Sequence, residues 1–254
     1  VIKAFPGYKV GADCGYSLNI HVKDLSAGVH TLKVEGINSD GGKFEQKTTF
    51  YYKINNKLIV LDPGHNIGVD DGAYSNDRKY SERKLNDEIA VVTKAKLEDK
   101  GYKVIYTRNP FSAMSFKDVN DSLSTRANLA NSLDAKLFIS IHQNSFNKES
   151  AHGTEVYYTT SVQDSGFPQQ DRELKVSKSK SLSENMVSKI SSSTNIYKRG
   201  SKDGNLFVLR NTKMPAVLVE CGFITNPGDA QKLSDSSYQN KIAQAIADSV
   251  GTNF

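Results

Sequence analysis

The run Leu58-Ile59-Val60-Leu61, apolar without a break and closed by Asp62-Pro63-Gly64, constrains this chain more than any other feature. Four consecutive apolar residues cannot alternate between core and solvent, so the segment reads as a strand covered on both faces. The residues after it fit a sheet wrapped in helices. Ser81 is placed to cap a helix running to about Lys100, with Leu85, Ile89 and Val92 on one face and Gly101 positioned to end it. Further strands are predicted over 102–108, 137–142, 154–160, 206–210 and 216–221, and further helices over about 122–133, 173–192 and 237–250. Strands alternating with helices predict an α/β fold, a twisted and largely parallel sheet flanked by helices. Residues 161–202, rich in Ser and Lys, are expected to include a surface loop and are the first place to look for control of a cleft.

The first fifty or so residues have a different texture. Tyr16, Leu18, Ile20 and Val22 alternate with polar neighbours, as a half-buried strand does. Leu32 and Val34 repeat the pattern, and Asp40-Gly41-Gly42 supply the turn before a strand over 43–53. The chain is thus expected to divide into a small all-β segment, residues 1–54, and a larger domain, residues 55–254. Three short strands bury too little apolar surface to be stable alone.

Composition narrows the classes of function. No apolar run approaches the ~20 residues needed to cross a bilayer. The net charge of +5 suits attraction to an anionic surface such as an acidic wall polymer, or equally a Lys-rich surface kept soluble by its charge, and no nucleic-acid-binding signature accompanies it. Cys14 and Cys221 fall in different predicted domains, form no CxxC pair, and read as small apolar fillers. The chain opens on Val1, so the lack of a leader says nothing of its destination.

In a parallel sheet, ligands bind beyond the carboxyl ends of the strands. His65 follows the first buried strand, His142 closes Leu137-Phe138-Ile139-Ser140-Ile141, Glu220 sits between Val219 and Cys221, and Glu82 opens the first long helix. A single His at a strand end is commonly a hydrogen-bonded structural residue, and a Glu in a first turn commonly serves the helix dipole. Glu220 is harder to explain so, because a buried carboxylate costs several kcal/mol unless donors or a cation compensate. Two imidazoles and a carboxylate make the three-ligand set of a catalytic zinc with a fourth position for water. A second carboxylate in reach can carry a proton to a leaving amine. His65, Glu82 and His142 are therefore the candidate Zn2+ ligands and Glu220 the candidate catalytic residue. Asn144 is a candidate substrate contact or a turn former. Arg126 is read as a salt-bridging structural residue before a binder of an acidic peptide, and His21, His30 and His152 are expected on the surface.

From about Lys57 onward the chain resembles the zinc-dependent N-acetylmuramoyl-L-alanine amidases of the type-3 family, which includes autolysins, endolysins and sporulation amidases. The resemblance rests on IVLDPGH (59–65), GA (72–73), SERKLN (81–86), TR (107–108), LSTRANLAN (123–131), LFISIHQN (137–144), GTEVYY (153–158) and VLRNTKMPAVLVECGFITNPGDAQKL (208–233). It implies that His65, Glu82 and His142 bind zinc, that Glu220 is the catalytic carboxylate, and that the substrate is the amide between N-acetylmuramic acid and L-alanine in peptidoglycan. It implies a secreted, Gram-positive type of wall enzyme, expected to act as a monomer. Asn66, Asp71 and Gln143 depart from the commonest family pattern and bear on substrate preference. Other zinc hydrolases of the wall, an endopeptidase or a deacetylase, and a silent wall-binding protein remain alternatives. The N-terminal stretch resembles the later half of a Gram-positive surface immunoglobulin-like repeat through FPGY (5–8), GYSLNI (15–20) and LSAGVHTLKVEG (25–36), which implies a spacer or adaptor facing the wall.

Overall fold

The computed structural model describes residues 28–37, 41–52, 57–163 and 167–251. The chain divides into two compact units, residues 1–55 and 56–254. In the first, β1 (Gly28–Ile37) and β2 (Lys43–Tyr52) form an antiparallel ladder from Gly28 opposite Tyr52 to Ile37 opposite Lys43. These are the strands expected around Leu32 and Val34 and over 43–53. The strand expected over 16–22, with Cys14 and His21, lies outside the described residues, and so does most of the stretch that carries the immunoglobulin-like resemblance.

The second unit runs β3 (Leu58–Pro63), α1 (Glu82–Asp99), β4 (Lys103–Tyr106), α2 (Val119–Ser132), β5 (Leu137–Asn144), β6 (Thr154–Tyr158), α3 (Gln169–Thr194), β7 (Lys198–Asp203), α4 (Phe207–Arg210), β8 (Ala216–Phe223), α5 (Pro227–Leu233) and α6 (Ser236–Gly251). Its six strands lie in the order β4-β3-β5-β8-β6-β7, every pair parallel except β6 against β8. The sheet is thus α/β and largely parallel, as expected.

Strand alternation divides the core in two. Ile139, Ile141, Val217, Val219 and Cys221 face Leu85, Ile89, Leu182, Met186, Ile242 and Ile246, which are carried on α1, α3 and α6. On the opposite face Val60, Phe138, Ala216 and Leu218 pack with Ala130 of α2 and Val208 and Leu209 of α4. Leu218 and Tyr157 of that second core stand two residues from Glu220 and Glu155, so both carboxylates project on the face with the shorter cover.

One expectation is corrected. In place of the strand expected over 206–210, Phe207–Arg210 form the single turn α4, with Leu206 as its N-cap. An apolar run this short does not distinguish helix from strand by periodicity. The turn is held from outside, since the buried Lys175 of α3 donates to the carbonyls of Leu209 (2.6 Å) and Thr212. The Ser/Lys-rich stretch 161–202 is mostly the long helix α3, which contains the helix expected over about 173–192, followed by β7; the part outside regular structure is short and includes residues 161–163. Its buried serines satisfy themselves locally, Ser179 Oγ donating to the Lys175 carbonyl at 2.7 Å and Ser183 Oγ to the Lys180 carbonyl at 2.7 Å.

Candidate metal centre

Gly64 and Gly72 leave the space in which the central side chains meet. A Cβ on Gly64 would stand 2.3 Å from the His142 ring, and one on Gly72 would stand 2.8 Å from the His65 ring and 2.9 Å from Glu82 Oε2. His65 itself has φ 67, the left-handed region, which costs a residue with a side chain about 1–2 kcal/mol. A buried guanidinium holds it there. Arg108 donates through Nε to the His65 carbonyl (2.7 Å) and through Nη2 to the Gly64 carbonyl (2.9 Å), and its Nη1 lies 2.6 Å from Asp87 Oδ1. Asp87 Oδ2 in turn accepts from the Phe111 backbone N–H (2.9 Å) and Arg83 (3.1 Å).

The strand leading into this loop is anchored in the same manner. Asp62, buried just before Pro63, accepts from Arg126 Nε (2.7 Å) and Nη2 (2.6 Å), Thr107 Oγ1 (2.6 Å) and Ser140 Oγ (2.6 Å). Burial works to raise its pKa, but the Arg126 charge and these donors outweigh it and hold the carboxyl far below the usual carboxylate range. Arg126 is therefore structural, as its helical position suggested.

Three candidate ligands converge above this frame. Glu82 Oε1 lies 2.8 Å from His65 Nε2 and 3.1 Å from His142 Nδ1, with the two rings edge to face at a centroid separation of 4.7 Å. One ligand atom from each of the three residues falls within 4.8 Å of the others, close enough for the three to hold one metal ion. His65 Nδ1 lies 2.8 Å from Asp70 Oδ2, the carboxylate contact that fixes the ring of a metal-binding histidine. Burial lowers the His65 pKa, yet hydrogen bonds to Asp70 and Glu82 lift it to about 9. For Glu82 the same two imidazoles outweigh burial and hold the carboxyl well below its ordinary range. His142 is pulled down by burial. Glu82 also exchanges contacts with the loop that crosses it, its backbone N–H donating to the Ala73 carbonyl (2.8 Å) and the Ala73 N–H to Glu82 Oε2 (2.8 Å). The GA segment is thereby explained.

Glu220 is the register partner of His142 across β5 and β8. Its Oε2 is buried without a protein hydrogen-bond partner among the described residues. Burial, then the charges of Glu82 and Glu155, push its carboxyl well above the ordinary value. On its other side Glu220 faces Glu155 of β6. Asn144 Nδ2 donates to Glu155 Oε1 (2.7 Å) and its Oδ1 accepts from the Ser145 N–H (2.8 Å). His152 is exposed.

Two of the departures noted in the sequence, Asn66 and Gln143, make ties to neighbouring segments. Asn66 is buried and binds Met114 in both directions, Nδ2 to the carbonyl (2.8 Å) and Oδ1 from the N–H (3.2 Å), pinning the segment between β4 and α2. Gln143 Nε2 donates to Asn86 Oδ1 on α1 at 3.1 Å. Sequence reasoning missed Arg108, Asp87 and Glu155; the TR and GTEVYY segments were the signals for Arg108 and Glu155, and Asp87 had none.

An α/β layer protein with a half-buried His-Glu-His cluster at one rim of its sheet, next to an orphaned carboxylate, is the class that fold and site define. Residues 59–252 match the family model described as N-acetylmuramoyl-L-alanine amidase. The chain belongs to that family. It is 36% identical over 192 residues to the N-acetylmuramoyl-L-alanine amidase LytC of Bacillus subtilis (strain 168), which covers 76% of this chain and only 34% of that protein. A protein of Staphylococcus saprophyticus named "Probable cell wall amidase LytH" is 30% identical across 94% of this chain and 69% of its own length. Among solved structures, an N-acetylmuramoyl-L-alanine amidase from Clostridium difficile 630 superposes with a TM-score of 0.66 at 33% identity, covering 78% of this chain and 96% of that one. The CwlD amidase from Clostridioides difficile, solved with the GerS lipoprotein, gives 0.67 at 29% identity and covers 78% and 98%.

Proposed function

We propose that this chain is a zinc-dependent amidase that cuts the bond between N-acetylmuramic acid and L-alanine in peptidoglycan, working outside the cell at a Gram-positive type of wall. The observation that carries the reading is the placing of the orphaned Glu220 carboxylate beside the His65, Glu82 and His142 cluster. The donor set suits zinc, two imidazoles and one carboxylate with a position to spare, His65 giving up its proton to the incoming ion. When bound there, zinc supplies Lewis-acid polarisation and an acidified water at neutral pH. His65, Glu82 and His142 would hold it, with Asp70 orienting His65.

The remaining chemistry belongs to the protein. Glu220 takes the proton of the attacking water as its oxygen adds to the lactyl carbonyl carbon, then delivers that proton to the L-alanine nitrogen as the C–N bond breaks. The products are a muramoyl carboxylate and a free alanine amine. The raised pKa of Glu220 suits a group that must hold a proton in transit and give it up to nitrogen. Family membership favours the amidase over a wall endopeptidase or deacetylase, and the intact ligand set speaks against a silent wall-binding protein.

Stripping the metal with a chelator should abolish wall hydrolysis, and zinc should restore it; activity that survives complete removal would sink the zinc assignment. The Arg108 clamp gives a second expectation. Arg108→Lys keeps the charge but loses the fork that spans two carbonyls, so zinc affinity measured by chelator competition should fall about 10–100-fold. Unaltered affinity in a folded variant would show that the clamp does not position His65.

A further inference from the structure

The sheet beyond Glu220 carries, toward its β7 edge, a cationic pair that the proposed chemistry does not use. His142, Glu220 and Glu155 stand side by side across β5, β8 and β6, and β7 continues the row with Gly200 opposite Glu155. The β6–β7 register slips there, Thr154 pairing with Lys198 and Glu155 with Gly200, which makes Arg199 the extra residue of a β-bulge. A bulge re-aims the side chain it carries, and this one turns the guanidinium onto Glu155. Glu155 is 2% exposed and accepts from Asn144 Nδ2 (2.7 Å), Tyr157 Oη (2.7 Å), Arg199 Nε (2.7 Å) and Lys202 Nζ.

One carboxylate with two neutral donors does not require two cations, and the cluster keeps one positive charge in surplus. It also keeps donors in surplus. Among the described residues Lys202 Nζ donates to Glu155 alone, and Arg199 engages Glu155 through Nε, with only a long 3.5 Å contact from Nη1 to the His152 carbonyl. Their side chains are 36% and 32% exposed, so the spare N–H groups open onto solvent. The Phe223 ring lies under the guanidinium, its centre 4.8 Å from Cζ, and braces it.

We propose that Arg199 and Lys202 form a subsite for a carboxylate on the peptide arm of the substrate, held at a fixed distance from the scissile amide by Glu155. This rests on the amidase reading above. The spacing agrees with it. Neighbouring strands are about 4.8 Å apart, so the cations on β7 stand two strands, about 10 Å, from the strand that carries Glu220. In the stem peptide the residue after L-alanine is acidic, and an extended chain reaches about 7 Å over two residues, with the cation side chains closing the rest. Arg126, the other basic residue with a claim on the acidic peptide, is buried on Asp62 and out of reach.

The test uses zinc-loaded full chain and two muramoyl peptides that differ only in the second residue, D-glutamate with a free carboxylate or its amide. The wild type should cleave the acidic substrate with a KM about tenfold lower and a similar kcat. Lys202→Met should bring the two KM values together, and Lys202→Arg should keep them apart. Equal KM values in the wild type would overturn the subsite without any variant, as would a ratio that Lys202→Met leaves unchanged. Competition by polyglycerol phosphate as strong as that by the free acidic peptide would overturn its assignment to the peptide. If neither substrate is cleaved, the amidase reading fails, and equilibrium binding of the two free peptides then decides the subsite alone: tighter binding of the acidic one supports it, equal binding overturns it.

Discussion

Glu220→Gln is expected to lower the rate of muramoyl-alanine hydrolysis by a hundredfold to ten-thousandfold while leaving the zinc content near one per chain. Glutamine keeps the volume of the side chain and an acceptor oxygen, so packing between Val219 and Cys221 is undisturbed. What it cannot do is take up a proton and give it back. Glu220 lies outside the ligand cluster, whose atoms come from His65, Glu82 and His142, and the metal should stay. His65→Ala removes a ligand and should lose metal and activity together. Rate and metal content thus separate the carrier of the proton from the holders of the ion. A Glu220→Gln protein with near wild-type turnover would refute the assignment of roles.

The second large effect is on stability. Asp62→Asn should cost about 3–5 kcal/mol, because it leaves the Arg126 charge buried without its partner. For a domain of this size that corresponds to a fall of roughly 6–20 °C in Tm. The sign of the pH dependence comes from the depressed carboxyl. Its folded pKa lies below the unfolded value of ~3.9, so the stabilisation is complete above that value and is lost as pH falls from about 4 toward the folded pKa. Acid unfolding of the wild type should therefore steepen below pH ~4, and Asp62→Asn should flatten that limb. Removing both partners, as in Asp62→Leu with Arg126→Met, should cost less than removing one. Equal acid limbs in wild type and Asp62→Asn would show that the pair is not what stabilises the strand into His65.

Apolar density decided which elements the sequence revealed. β3, β5 and β8 are buried on both faces, and their unbroken apolar runs announce them. β7 reads Lys-Arg-Gly-Ser-Lys-Asp and has no apolar residue, because it is an edge strand whose side chains meet solvent and Glu155. α4 was hidden for the opposite reason, its four residues being apolar or long and compatible with either structure. Periodicity marks a helix at α3 but not its length, since Lys175, Ser179 and Ser183 are buried by hydrogen bonds that periodicity does not count.

The candidate site divides along similar lines. His65, His142 and Glu220 were legible because each interrupts or ends a buried strand, and Glu82 because it opens a helix on the same side. Their supports were not. Arg108 reaches His65, Asp62 reaches Arg126, and Glu155 gathers Arg199 and Lys202, all through contacts between residues more than forty apart in sequence. Nothing local marks such pairs. What sequence could mark was the need, a carboxylate in an apolar setting, and at Asp62 and Glu220 the structure answers that need in opposite ways. Asp62 is fully paired, whereas Glu220 keeps a buried oxygen without a partner among the described residues.

The most direct test of the central claim is to digest purified Gram-positive walls with the zinc-loaded protein and label every new end. The account predicts new N-terminal L-alanine, in step with loss of wall turbidity, and neither new reducing sugars nor released acetate. New amino termini on other residues, or acetate without alanine, would contradict it.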